Sequence, residues 1–292
     1  MTLYRVIFFY MISNNHFLLS IPMSESEETS SNLSETLFVK HKQAKETSML
    51  TRYMPSSEEL LDKKREEQNS SWYRNLRRLQ WVWQGVNPIE QEAVLARIAS
   101  SDNSRTTDEW LDTVMGYRSG NWAYEWTKLG MQHQNRSNEK NGEEMAEELF
   151  SASLCFSIAG YPHLKNDNLA AQAQVLANAA YSEAIKHTKL IVKQIEVPYQ
   201  NKKIKANLHL TKTDKPQPVV IVSAGLDSLQ TDMWRLFRDY LAPKNIAMLT
   251  IDMPSIGHSS HWPLTEDSSC LHQAVLNELP NIPWVDHHKV GL

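Results

Sequence analysis

One change of hydrophobic period, near residue 190, constrains this chain more than any other feature. Upstream, apolar residues recur every three or four positions, the spacing of one face of a helix. Downstream they alternate or run continuously, as strands do. Lys193-Gln194-Ile195-Glu196-Val197 alternates, and Ile204, Ala206, Leu208 and Leu210 alternate with Lys205, Asn207 and His209. With residues 199–202 as the turn, these predict an antiparallel pair with one wet face. Residues 218–222 (PVVIV) and 246–251 (IAMLTI) are continuously apolar, which predicts strands covered on both faces. A helix over about 229–241 lies between them, so strand, helix and strand make one right-handed βαβ unit. A further helix over 268–279 stops at Pro280, and Lys289-Val290-Gly291-Leu292 opens another strand. The fold class is α/β.

The upstream part predicts a helical domain over residues 71–188. Trp72, Leu76, Leu79 and Trp83 are spaced for one face of a helix that Gly85 ends. Asn87, Pro88 and Glu90 form a start signal of cap, first-turn proline and N3 acid. Thr106 and Glu109 repeat the capping box before Trp110, Leu111 and Val114, with Gly116 as the stop. Trp122, Trp126 and Leu129 give another stripe, closed by Gly130, before a polar stretch whose later part is a loop. Two longer helices, about 143–159 and 167–187, flank the Gly160-Tyr161-Pro162 turn. The second places Leu169, Ala173, Leu176, Ala180 and Ala184 on one face, small enough for close helix approach. Such stripes are core. Arg74, Arg77 and Arg78 read as a solvated face, the alternative being a basic surface for an acidic partner.

Residues 1–22 hold an apolar run that Ser13, Asn14, Asn15 and His16 interrupt. A membrane span needs about 20 mainly apolar residues, and a secretory signal needs a small-x-small cleavage site. Neither pattern is met, so residues 1–22 read as a mis-chosen start, with Met23 as the biological one. Residues 23–70 carry few periodic apolar positions and read as an extended, poorly ordered arm. Lys and Arg total 30 against 34 Asp and Glu, a net charge of −4, which argues against nucleic acid as the main partner. Two cysteines, Cys155 and Cys270, exclude a disulfide scaffold and fit a reducing cytoplasm.

An open parallel sheet binds ligands beyond the carboxyl ends of its strands. Two loops belong there, Ser223-Ala224-Gly225-Leu226-Asp227 and Asp252-Met253-Pro254-Ser255-Ile256-Gly257-His258-Ser259. Neither holds a dinucleotide or phosphate-binding glycine motif. In the first loop, Gly225 lets backbone N–H groups face a cleft, as an oxyanion requires; the same glycine also suits a tight strand-to-helix turn. Asp227, Asp252, Pro254 and Gly257 are the cleft-lining candidates. Ser259 sits between His258 and His261 but not in G-x-S-x-G, which argues against it as a nucleophile. His258 with His261, and His287 beside His288, lack a third ligand, so no metal site is assigned.

VIVSAGLD, LTIDMPSIGHSS and PNIPWVDHHKVGL, preceded by the Trp-rich WYRNLRRLQWVW and GYRSGNWAYEW, resemble the fermentation–respiration switch protein (FrsA) family of esterase-like α/β-hydrolases. The resemblance implies that residues 189–292 are the first half of an α/β-hydrolase domain behind the helical domain. It implies hydrolysis of a small carboxylic ester without a cofactor, with N–H groups at Gly225 and Leu226 on the oxyanion. It also implies a cytoplasmic role in switching between fermentation and respiration. The alternative is a regulatory interaction protein that binds the glucose-specific enzyme IIA phosphocarrier; a related cofactor-free enzyme acting on a small oxo-acid stays open. In this fold the fifth strand delivers the nucleophile on G-x-S-x-G, with acid and histidine later. All three are expected beyond Leu292, so the chain alone is expected to be an inactive fragment. Residues 219–222 are expected to lack their outer neighbour, leaving an apolar, aggregation-prone edge and a poorly soluble or partly unfolded second half.

Overall fold

The computed structural model describes residues 71–292. The expected arm and start, residues 1–22 and 23–70, lie outside the described residues. Five helices come first: α1 (Arg78–Gln84), α2 (Pro88–Ala99), α3 (Trp122–Ser137), α4 (Gly142–Ala159) and α5 (Asn168–Ala184). Strands β1 (Ile191–Tyr199), β2 (Lys202–Leu210), β3 (Gln217–Ser223), β4 (Ala247–Ile251) and β5 (Val285–Gly291) follow, with α6 (Ser269–Glu278) between the last two.

Helix ends whose caps are local match the sequence. The Asn87 side chain accepts from the Ile89 and Glu90 N–H groups with Pro88 in the first turn, and Gly85 ends α1 at φ 131°. Where a distant partner competes, the outcome differs. The expected helix from residue 71 starts only at Arg78, because the Tyr73 and Arg74 N–H groups donate to Asp112 (2.8 and 3.1 Å) instead of to a helix. Leu79 and Trp83 consequently face outward, 86% and 42% exposed, while Leu76 and Trp81 are buried. No helix forms over 106–116. Thr106 caps nothing, and its hydroxyl lacks a partner. The segment is a turn closed by an Arg105–Val114 bridge, with Asp112 turned inward. Arg74 is likewise no solvated side chain; it is 5% exposed and paired with Asp112 at 3.0 Å.

Gly130 does not close α3, which runs on to Ser137. Its missing side chain admits the Phe156 ring instead, for a Cβ there would lie 2.5 Å from it. The α4–α5 hairpin packs through Ala170, Ala173, Ala177, Ala180 and Ala184, so the buried stripe includes neither Leu169 nor Leu176, both half-buried.

The strands form one sheet in the order β1-β2-β4-β3-β5. The β1/β2 and β2/β4 pairs are antiparallel, and β3 runs parallel to both β4 and β5. The β1–β2 hairpin turns through Gln200 and Asn201 at φ 44° and 60°, the left-handed pair that a tight hairpin demands. The expected wet face of β2 is absent: from Ala206 to Leu210 every residue is buried, including Asn207 and His209. His209 satisfies its ring by donating from Nδ1 to the Met248 carbonyl and accepting at Nε2 from the Tyr181 hydroxyl of α5. In β3, Val219 and Ile221 are fully buried but Pro218, Val220 and Val222 only half, so the strand alternates. The helix expected over 229–241 is broken into a 3₁₀ turn (Gln230–Met233), a single helical turn (Trp234–Leu236) and a π turn (Phe237–Leu241). The outer neighbour of β3 is present as β5, which starts at Val285, earlier than residue 289. The outermost strand therefore displays His287, His288 and Lys289 rather than an apolar run. No helix among the described residues is long and apolar enough to cross a membrane.

Candidate active site

The two faces of the sheet receive successive connections. Val219 and Ile221 of β3 share a core with Leu271 and Val275 of α6. On the other face Met248 packs with Trp234 and Phe237 of the broken connection and with Phe150 and Tyr181 of the helical part. The chain leaves β3 toward one face and β4 toward the other. Their carboxyl ends are thus a topological switch point, where such sheets open a ligand crevice.

Both expected loops meet here. In the first, the Gly225 N–H donates to Ser228 Oγ at 3.0 Å, which occupies one expected oxyanion donor. The Leu226 N–H has no hydrogen-bond partner among the described residues. Asp227 is held by an ion pair with Arg77, a residue of the segment leading into α1. In the second loop the Asp252 carboxylate is enclosed. Oδ1 accepts from the Gln230 N–H (2.7 Å), and Oδ2 from Gln230 Nε2 (3.1 Å) and the His258 N–H (2.8 Å). Burial pushes its pKa up, and the two backbone donors oppose that shift. Gly257 is required at φ +52°, where a Cβ would lie 2.2 Å from Asp252 Oδ2. Pro254 is buried. Asp252 and Gly257 therefore tie the second loop to the start of the broken connection. Ser259 is fully buried and its hydroxyl has no partner, so it stands out of reach of a substrate. Among the described residues no group of three His, Cys, Asp or Glu side chains could hold a metal.

A third carboxylate joins the helical part to this site. Asp232 Oδ2 accepts from Ser157 Oγ of α4 and from the Leu229 N–H, both at 2.9 Å, while Oδ1 is buried without a partner. Burial chiefly, with Asp252 and Asp227 nearby, pushes its pKa up to about 7. Around it the seam is closed by Phe150 stacked on Trp234 (3.9 Å, 17°), by the Arg238–Glu147 ion pair and by Arg235 Nη1 donating to the Val82 carbonyl at 2.9 Å.

One pair escaped the sequence reading. Ser223, the last residue of β3, lies 2.9 Å from Nε2 of His272 on α6. The pair is 49 residues apart. Two signals point to it: Ser223 has the parity of Val219 and Ile221, which face α6, and His272 lies three residues before buried Val275 on that helix. Burial lowers the His272 pKa, partly opposed by a hydrogen bond to the Ser268 backbone.

The family described as Esterase FrsA-like matches residues 28–292. The chain is 74% identical over 267 residues to Esterase FrsA of Vibrio parahaemolyticus and 72% identical over the same length to that of Vibrio cholerae. Over 278 residues it is 50% identical to the Photobacterium profundum protein. The two Vibrio alignments cover 91% of this chain and 64% of each relative; the third covers 92% and 65%. The chain thus spans a little under two thirds of the length of these relatives. Its fold is similar to that of 2,6-dihydroxy-pseudo-oxynicotine hydrolase, with a TM-score of 0.57 at 17% identity, covering 73% of this chain and 56% of that one. Sheet order, switch-point loops and sequence agree: the chain has an α/β-hydrolase fold and belongs to the FrsA-like esterase family.

Proposed function

We propose that the protein hydrolyses small carboxylic esters in the cytoplasm, in support of a switch between fermentation and respiration. The observation that carries this reading is the unpaired Leu226 N–H, set in the loop that leaves the carboxyl end of a central parallel strand. An ester carbonyl that becomes tetrahedral needs such a fixed donor at its oxygen, and an N–H already committed to the protein cannot serve. Gly225, bonded to Ser228, would contribute only after that bond opens. Turnover of p-nitrophenyl esters of graded acyl length by the purified protein tests the reading. Release of p-nitrophenol no faster than in buffer, at any acyl length, would refute it for this chain and uphold the expectation that the chain alone is inactive.

A second reading has its own observation. Leu79 and Trp83 face outward on α1, and Trp83 lies 6.1 Å from the half-exposed Tyr240 ring. An apolar face of this kind beside Arg78 supports a regulatory role through the helical part, with the glucose-specific enzyme IIA phosphocarrier as the partner. Titration calorimetry of the purified protein with that phosphocarrier, repeated for Trp83→Ala, distinguishes it; equal heats from both proteins would discard this face.

A further inference from the structure

The geometry points to a site of nucleophilic chemistry outside the expected elbow: we infer that Ser223 is a nucleophile and His272 its general base, acting on carboxylic esters. The inference deepens the hydrolase reading and rests on it for its substrate class, but its residues are independent of any G-x-S-x-G elbow. Three observations support it. Ser223 ends β3 directly before the loop that carries the unpaired Leu226 N–H. Its hydroxyl is within hydrogen-bond reach of a ring nitrogen, 2.9 Å from His272 Nε2, the separation a base needs to take the proton. Neither side chain is sealed from solvent; both are half-buried. Ser259, the serine that sequence spacing places between two histidines, has none of these features.

The chemistry balances with water alone. With the ring proton on Nδ1, Nε2 accepts the Ser223 hydroxyl proton as Oγ attacks the ester carbonyl carbon. The carbonyl π pair moves to oxygen and is met by the Leu226 N–H. The tetrahedral intermediate collapses, the bond to the alkoxy oxygen breaks, and the Nε2 proton leaves with the alcohol. Water then attacks the acyl carbon, giving its proton to Nε2, and the acid departs as Ser223 Oγ recovers that proton. Without the pair, Ser223 is an ordinary weak nucleophile; with it, base assistance is worth about 10²–10⁴-fold.

A fluorophosphonate probe, which forms an Oγ–P bond with loss of fluoride, tests the assignment on the 292-residue chain. Peptide mapping should place the adduct on Ser223. The labelling rate should fall only as pH drops below the ordinary imidazole value, because His272 must be neutral and its pKa is lowered. His272→Gln, which can still bond to Ser223, should slow labelling and p-nitrophenyl acetate turnover by about 100-fold or more. Ser223→Ala should abolish both. A folded chain that leaves Ser223 unlabelled overturns the inference. So does Ser223→Ala with unchanged turnover and a lowered melting temperature, the mark of a hydrogen bond that only latches α6 to β3. Labelling of the unsubstituted chain decides the matter if the variants do not fold. An adduct elsewhere with turnover retained removes the dyad and keeps the esterase; an adduct on Ser223 without ester turnover does the reverse.

Discussion

Replacing Asp232 by Asn asks whether burial sets the stability of the seam between the helices and the sheet. Asp232 is 7% exposed as a residue; its carboxyl group accepts two hydrogen bonds through Oδ2 and buries Oδ1 without a partner. Two neutral donors do not offset desolvation, and the pKa rises from 3.8 to about 7. In the unfolded chain the same group titrates near its ordinary value. Between the two, the folded state binds a proton that the unfolded state lacks, so stability is greatest below about pH 4 and falls as pH rises to 7. One unit corresponds to about 1.4 kcal/mol, which makes the full loss on the order of 4 kcal/mol and the part between pH 5 and 8 about 3 kcal/mol. His163 and His209, both pushed down to about 4 by burial, titrate with the opposite slope in acid. They are unchanged in the variant and cancel when the two proteins are compared at each pH. Urea unfolding at pH 5 and pH 8 should therefore show Asp232→Asn gaining about 3 kcal/mol on the native protein across that interval. The amide keeps an oxygen for Ser157 and the Leu229 N–H, so their bonds do not confound the comparison. A difference that shifts by less than about half a kcal/mol between the two pH values would mean that Asp232 is ionised throughout, and the argument from burial would fall.

Gly257→Ala should destabilise by about 1–3 kcal/mol for its left-handed backbone and a similar amount for the collision with Asp252 Oδ2. Gly142→Ala, with φ +55° and open space around it, should show only the first part; equal losses in denaturant titration would contradict the collision. Asp112→Ala removes the carboxylate that pairs with the buried Arg74 guanidinium and accepts from the Tyr73 and Arg74 N–H groups, and should lower stability by about 3–5 kcal/mol, read by thermal melting. A shift within error would show that water reaches Arg74. Leu226→Pro removes the N–H that has no partner among the described residues and should lower kcat for p-nitrophenyl acetate by about 10²–10³-fold. Unaltered kcat would take that donor out of the reaction.

What could be read in the sequence was what neighbouring residues decide among themselves. Asn87-Pro88 starts α2 because the cap and the donors it serves lie within three residues, and the period-two runs of β1 and β2 identify their hairpin through a turn of two residues. Distance along the chain defeated the rest. Thr106 and Glu109 form a sound local start signal, yet Asp112 binds the backbone of Tyr73 and Arg74 some 39 residues earlier and the segment folds as a turn. Gly130 looks like a helix stop until the ring of Phe156, on the next helix, claims the space. The expected cleft residues lie on the two anticipated loops, but their partners were not legible: Arg77 for Asp227 and Gln230 for Asp252 come from other parts of the chain. Ser223 and His272 carry no shared motif at all, and only the sheet parity and helix phase bring them together.

Asp252 has a consequence for anyone who would redesign this protein. Because one carboxylate clasps both the amide of Gln230 and that of His258, the segments flanking β4 are mechanically a single part. A loop grafted from a relative into either position alone would arrive without its counterpart and leave a buried anion short of donors. Libraries that vary residues 252–258 should therefore carry residue 230 with them, and selections are best run on the two segments as one cassette.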